Sequence, residues 1–324
     1  MEYRIVTPPD LTREIAFYEK WIEMAYNGEM TYLKRTIDKR RSFPEWTRSI
    51  LVVRAFYGDI HWNEISTTGK ALISKYAIRT DYHAVIKNLI ADVLSELELK
   101  HKDLQYKVFV DSSPVLEKPI ARFAGFGIFG YNTLLLDPEW GSYFHIGGAF
   151  LSRDLAESVE SLEDNPCLRC NLCVESCPTG ALIKPGVLDA SRCISYLTIE
   201  YKGVIPKELA VRMQNWVFGC DVCQEVCPLN RKKKNLKVHS MYREELIAPP
   251  IERLLYLEEK DFLNLFDKTP VLRTGYVRFL RNVIVVAYNI GYQYLLYNMY
   301  KQGKLQQERL WISQIEEMGG LNGP

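Results

Sequence analysis

The sequence predicts an α+β protein in three parts, and three observations carry that prediction. Segments of helical period alternate with short β-branched runs over residues 1–157. All eight cysteines fall between Cys167 and Cys227, inside a stretch of 158–238. Beyond residue 239 the pattern is helical to the end at 324. Charge and composition set bounds on function. The 324 residues carry a formal net charge of +1, so no overall field draws the chain to nucleic acid, and such binding needs a local patch.

Residues 11–26 and 81–99 have helical period. In the second, Tyr82, Ile86, Leu89, Ile90, Val93, Leu94 and Leu97 share a face, with Thr80 as the expected N-cap. Strands are expected at Ile50–Phe56, Tyr106–Val110 and Thr133–Leu136. The glycine-rich segment from Ala124 to Thr133 matches no phosphate-loop pattern, and spacing leaves a structural turn and a ligand loop both open. Ser158–Pro166 reads as a linker, Pro206–Phe218 as amphipathic, and 250–266 and 276–318 as helical. The apolar run from Val283 to Tyr297 is broken by Asn289, Gly291 and Gln293 and is too short to span a bilayer. We expect a buried helix there. The N-terminus lacks a signal pattern, so the expectation is a cytoplasmic protein with no membrane contact.

The cysteines carry the chemistry. Cys167-Leu-Arg-Cys170-Asn-Leu-Cys173-Val-Glu-Ser-Cys177-Pro178 has the spacing of a bacterial ferredoxin run. A second run, Cys220-Asp-Val-Cys223-Gln-Glu-Val-Cys227-Pro228, is one cysteine short, and Cys193 is the thiol left to complete it. A zinc site takes four cysteines and leaves four unexplained, whereas two [4Fe-4S] cubanes use all eight. Since the fourth cysteine of each run serves the other cluster in such proteins, Cys167, Cys170, Cys173 and Cys227 are assigned to one cluster. Cys177, Cys193, Cys220 and Cys223 are assigned to the other. Two adjacent cubanes form an electron relay, and the residues alone leave its acceptor unknown. Asp81-Tyr-His83 begins a DxHxxG cobalamin signature, but Ile86 stands where glycine is required, and a capped helix start is the expected reading.

Further motifs resemble the epoxyqueuosine reductase family over most of the chain. They are Gly28-Glu-Met-Thr-Tyr-Leu33 with Asp38-Lys-Arg40, Ile73-Ser-Lys-Tyr-Ala77 with Asp81-Tyr-His83, and Val110-Asp-Ser-Ser-Pro-Val-Leu-Glu-Lys118 running into Ala124-Gly-Phe-Gly127. Cys193-Ile-Ser-Tyr-Leu-Thr-Ile-Glu200, Lys202-Gly203 and Phe218-Gly-Cys-Asp221 complete the match.

The resemblance implies reduction of epoxyqueuosine to queuosine at the wobble position of tRNA, with a base-off cobalamin fed by the two clusters. It makes 1–157 a cobalamin-binding catalytic domain, 158–238 a ferredoxin-like two-cluster module and 239–324 a HEAT-like helical region. It places Asp111 as proton donor, whereas the residues alone favour an aspartate bonding its own turn. For that role, burial is expected to raise the carboxyl's pKa. It sets Tyr76, Asn132, Thr133, Ser195, Asp221 and Val222 around the tetrapyrrole, although Tyr76 can equally be a core aromatic and Asn132 and Thr133 turn residues. The tRNA carrying epoxyqueuosine is expected to meet Lys202, Arg231, Lys232, Lys233, Lys234 and Lys237, and Arg278–Asn282 is expected to shape part of that surface. An external low-potential electron donor and a monomer are also expected. Two departures, Tyr131 and Gly148, are expected near the substrate cleft. They favour a rival reading, a corrinoid reductase of small molecules related to the reductive dehalogenases. A second rival is a plain two-cluster electron carrier.

Overall fold

The computed structural model describes residues 2–58, 60, 62, 65–158, 167–231 and 237–321. Of the expected linker, 159–166 lies outside the described residues. At the centre of the N-terminal part is an antiparallel four-stranded sheet built from β1 (Glu2–Val6), β2 (Ser49–Phe56), β3 (Tyr106–Phe109) and β4 (Phe144–Leu151). The spatial order is β1-β2-β4-β3. Every residue of β2 is buried, and its side chains alternate between two cores, as strand periodicity requires. Ile50, Val52 and Phe56 pack with Phe126, Trp140 and Phe150. Leu51, Val53 and Ala55 pack on the helix α1 (Tyr82–Lys100), through Ile86, Ile90, Val93 and Leu94. A strand covered on both faces loses the polar alternation of a surface strand, which is why β2 reads as a continuous apolar run.

Arg54 is the charged exception within β2. Its guanidinium pairs with Asp137 at 2.8 Å and Glu2 at 2.6 Å and lies 4.1 Å from the Trp140 ring centroid. Paired and stacked, it avoids the several kcal/mol that an uncompensated buried charge costs.

Strand β4 was not expected, because Gly147 and Gly148 interrupt its pattern. The sheet needs them. A Cβ on Gly148 would stand 2.2 Å from the Leu51 carbonyl oxygen and 2.6 Å from the Phe109 ring, and one on Gly147 would stand 2.6 Å from Ile86. Gly148 pairs with Val52 on one side and Phe109 on the other. It therefore lies inside the sheet, not beside a cleft, and its support for a changed substrate falls away.

Other expectations shift for local reasons. Asp81, not Thr80, caps α1, its carboxylate accepting from the His83 backbone N–H at 2.9 Å. The glycine-rich segment is a small hairpin of Ile128–Phe129 with Leu135–Leu136, so the strand expected from Thr133 shrinks to two residues. Gly127 holds φ +136° there, and a Cβ would meet the Leu136 carbonyl oxygen at 2.9 Å.

A third core joins 60–78, 194–218 and 246–318. It holds α2 (Ile194–Ile199), β5 (Trp216–Phe218), α3 (Tyr276–Asn289) and α4 (Arg309–Met318). β5 lies parallel to the two-residue strand Leu72–Ile73, which ties the cysteine-rich stretch to the N-terminal part. The buried helix expected over 283–297 is two helices, because Gly291 turns the chain at φ +92° between α3 and Gln293–Lys301. Arg281 and Asn282, expected at a tRNA surface, are wholly buried. Arg281 donates to the carbonyls of Leu197 (2.7 Å), Tyr201 (3.0 Å) and Gly203 (2.6 Å), and Asn282 to those of Thr198 (2.8 Å) and Val217 (3.0 Å). They satisfy the end of α2 from inside and fasten it to α3. No helix among the described residues is long and apolar enough to cross a membrane.

Candidate functional site

The cysteines sit on two short helices and their flanks. Leu172–Glu175 carries Cys173, Val222–Glu225 carries Cys223, and proline follows each run's last cysteine. Cys167, Cys170, Cys173 and Cys227 line one pocket, with Tyr131 and Asn132 on its wall. In the second group Cys220 faces Cys223 and Cys193, and Cys223 faces Cys193 and Cys177. Cys173 and Cys223 bring the two groups next to each other. No disulfide joins any of the eight, all of which are among the described residues. Four thiols spread around a pocket suit a cubane, whose four irons each take one thiolate. Among the described residues no three His, Cys, Asp or Glu side chains converge on a single ion.

Burial pushes the Cys173 thiol up to about 11 and raises those of Cys193, Cys220, Cys223 and Cys227. Metal-free, these sulfurs are protonated at neutral pH, and ligation must displace protons.

Behind the second group lies Asp221. Its carboxylate accepts from Trp62 Nε1 at 2.9 Å, Ser74 Oγ at 2.5 Å and the Lys75 backbone N–H at 2.8 Å. At 0% exposure it offers no surface to a ligand, which corrects its expected place among the tetrapyrrole contacts. It braces the cysteine loop against 74–75 instead. Asn132 is also buried, its side chain reaching the Leu134 backbone N–H at 3.3 Å and the Cys223 carbonyl at 3.5 Å. Tyr76, Thr133, Ser195 and Val222 are partly exposed. Ser195 is hydrogen-bonded to the Cys193 thiol. Tyr76 lies between two landmarks, with its ring against Phe218 on the cysteine side and Tyr82 on the side of Asp111.

Asp111 stands where β3 has ended and the chain turns with φ +50°, a left-handed conformation that costs a non-glycine residue energy. Its side chain is 52% exposed, and Oδ2 accepts from His83 Nε2 at 3.2 Å and Arg273 Nη1 at 3.3 Å. Partial burial pushes its pKa up, but hydrogen bonds from His83, Tyr82 and Arg273 prevail and hold it at about 2. The expectation that burial keeps this carboxyl protonated is therefore wrong for the substrate-free protein. It is a clamped carboxylate.

The clamp has several members that sequence reasoning passed over. His83 Nδ1 lies 2.7 Å from Asp81 Oδ1, so Asp81-Tyr-His83 is a capped helix start, as expected, whose imidazole also serves the site. Arg273 arrives from the short helix Pro270–Thr274, and no local pattern announced it. Tyr82 stacks on His145 at 4.6 Å, and burial, with the nearby Arg79 and His83 charges, lowers His145 to about 3, so that ring stays neutral. Glu117 opens the helix Glu117–Phe123. One of its carboxyl oxygens is buried without a partner among the described residues, and the group accepts the Asp111 backbone N–H. Burial first, then the Asp111 charge, push Glu117 up to about 8. The resembling motif Val110–Lys118 contains it, which was the available signal.

Of the cations expected to meet tRNA, Lys202, Arg231 and Lys237 are exposed. Lys232, Lys233 and Lys234 lie outside the described residues. The Tyr131 carbonyl accepts from the Gly186 backbone N–H at 2.9 Å, and the residue stands at the first cysteine pocket.

Two cysteine groups beside a clamped carboxylate are the arrangement of an iron–sulfur oxidoreductase. Residues 166–230 match the family of 4Fe-4S double cluster binding domains, and 38–112 match the epoxyqueuosine reductase QueG family. The epoxyqueuosine reductase of Pseudomonas aeruginosa is 38% identical over 287 residues, covering 86% of this chain and 79% of that one. That of Escherichia coli is 34% identical over 88% of this chain and 76% of its own length. The chain belongs to the epoxyqueuosine reductase family.

Solved structures agree in fold. A selenomethionine-labelled epoxyqueuosine reductase superposes with a TM-score of 0.86 at 24% identity, covering 98% of this chain and 86% of that one. An epoxyqueuosine reductase with an epoxyqueuosine-modified tRNA-Tyr stem loop gives 0.83 at 23% identity, covering 98% and 94%. A Bacillus subtilis enzyme whose catalytic aspartate loop is swung out of the active site also gives 0.83, at 23% identity and 99% and 94% coverage.

Proposed function

We propose that this protein reduces epoxyqueuosine in the anticodon loop of tRNA to queuosine. The position of Tyr76 carries this reading, since its ring contacts both Phe218, two residues before the second cysteine run, and Tyr82, beside Asp111. The overall change takes up two electrons and two protons, opens an epoxide and releases its oxygen as water. Asp111 is the group placed to pass a proton to that oxygen, and the thiol sets hold two [4Fe-4S] clusters fed by an external low-potential donor.

A cobalamin fits the site in part. Tyr76, Thr133, Ser195 and Val222 are the residues with surface to hold it, whereas Asn132 and Asp221 are committed to the protein interior. Both ring nitrogens of His83 are engaged by carboxylates and His145 is stacked between Tyr57 and Tyr82, so neither ring would be free to hold the group. When bound, such a group supplies the low-potential nucleophilic chemistry that amino-acid side chains lack. The chain's own work is to orient the substrate against Asp111, to hold the proton there and to exclude water.

Lys202, Arg231 and Lys237 are exposed cations proposed to meet the tRNA backbone, and Lys232, Lys233 and Lys234 add charge to the same stretch of sequence. The reading further places the enzyme in the cytoplasm as a monomer.

Anaerobic incubation with reductant, cobalamin and epoxyqueuosine-containing tRNA, followed by nucleoside analysis, tests the function. Queuosine appearing in proportion to enzyme turnover supports it. Unchanged epoxyqueuosine, with both clusters loaded and cobalamin bound, overturns it.

A further inference from the structure

Asp81, His83 and Asp111 stand in a row, carboxylate–imidazole–carboxylate, with contacts of 2.7 Å at Nδ1 and 3.2 Å at Nε2. An ionised carboxylate only accepts hydrogen bonds, and a neutral imidazole can donate from only one of its two nitrogens. With an acceptor at each end, the form that satisfies both contacts is the imidazolium. The ring has little freedom to turn away. Its side chain is 11% exposed, it lies against Tyr82 with centroids 4.1 Å apart, and Asp81 is fixed as the N-cap of α1.

We propose that His83 is the proton store that loads Asp111, with Asp81 holding the ring in its charged, correctly aimed form. The inference deepens the proposed function and rests on Asp111 being the group that meets the epoxide. His83 and Asp81 act through Asp111 and are positioning residues in that sense. In the step, the Nε2–H bond of His83 breaks as an O–H bond forms on Asp111. Asp111 then gives that proton to the epoxide oxygen while the C–O bond breaks. The two electrons come from the external low-potential donor through the clusters. Nε2 regains its proton from solvent on the side of Asp111, whose side chain is 52% exposed, while Nδ1–H stays on Asp81.

The charged groups around the ring set the resting state, an imidazolium beside an ionised Asp111, from which the step starts. Asp111 faces it from the end of β3, and Glu117, from the helix Glu117–Phe123, bonds the Asp111 backbone. Arg273 from Pro270–Thr274 shares Asp111 Oδ2 and keeps that carboxylate ionised between turnovers. Burial and the Arg273 charge work against a charged His83, but the hydrogen bonds to Asp111 and Asp81 prevail and its affinity for the proton is raised. His145, from β4, is neutral.

Two measurements test the relay. In the substrate-free, cluster-loaded protein, the His83 ring is titrated by NMR in wild type and in Asp111→Asn. The relay requires a proton affinity above that of free imidazole, dropping by roughly tenfold or more when the Asp111 charge is removed. A His83 that is neutral at pH 7 and indifferent to Asp111→Asn overturns it, whatever the substrate proves to be. The second measurement is His83→Gln, which can still donate a hydrogen bond to Asp111 but carries no transferable proton. Turnover of epoxyqueuosine tRNA should fall by about 10²-fold or more, the usual worth of a positioned proton carrier. The alkaline limb of the rate profile should disappear while tRNA affinity stays within twofold. Wild-type rate with the same alkaline limb overturns the proposal. A wild-type enzyme that never forms queuosine refutes the function instead, and the NMR titration then decides the relay alone.

Discussion

Replacing Glu117 with glutamine keeps the shape of the side chain and an acceptor for the Asp111 backbone N–H, but removes the ionisable group. In the folded protein Glu117 titrates at about 8 against an ordinary value of 4.5, because burial disfavours its charge and the Asp111 carboxylate repels it. Unfolding therefore releases a proton between pH 4.5 and about 8. The folded state binds the extra proton, so stability is fully present below 4.5, falls as pH rises through this window and levels off above about 8. Each tenfold change in proton affinity is worth about 1.4 kcal/mol, so the full difference comes to roughly 5 kcal/mol. Between about pH 5.5 and 8.5 it comes to roughly 3 kcal/mol.

Glu117→Gln also buries an amide N–H where the unpartnered oxygen sat, which costs about 1–3 kcal/mol at every pH. That offset does not change with pH, so the slope is the diagnostic quantity. Urea unfolding midpoints of the anaerobic, cluster-loaded protein should fall more steeply with pH in wild type than in Glu117→Gln. Parallel curves across that range would refute the assignment of a buried neutral carboxyl beside Asp111.

Asp111→Asn should retain both clusters and cobalamin yet lose turnover, and near-normal queuosine formation by the variant would remove Asp111 from the mechanism. Cys193→Ser should abolish the cubane signal of one cluster and leave that of the cluster held by Cys167, Cys170, Cys173 and Cys227, as read by iron content and EPR of the reduced protein. Loss of iron from the other set would reverse the ligand assignment. Replacing Lys202, Arg231 and Lys237 with glutamine should weaken tRNA binding and flatten the plot of log affinity against log salt by roughly 0.7–0.9 for each phosphate no longer neutralised. A slope equal to that of wild type would place the tRNA elsewhere.

The sequence alone determined those features whose physics is local. Thiolate spacing dictates which chemistry a loop can hold, so a double-cluster cysteine stretch was legible in the chain. The apolar run of β2 and the 3.6-residue period of α1 announced themselves for the same reason. β4 did not, because its two glycines are explained only by the strands on either side, whose backbone and Phe109 ring leave no room for a Cβ. Arg281 looked like a surface cation and is an interior brace, since its partners are carbonyls 78 to 84 residues away in the chain. The state of Asp111 was the largest difference. A single sequence position suggested a buried, protonated acid, but His83, from 28 residues upstream, and Arg273, from 162 residues downstream, make it a carboxylate. Charge at a site is a sum over neighbours in space, and only the tertiary structure decides who those neighbours are.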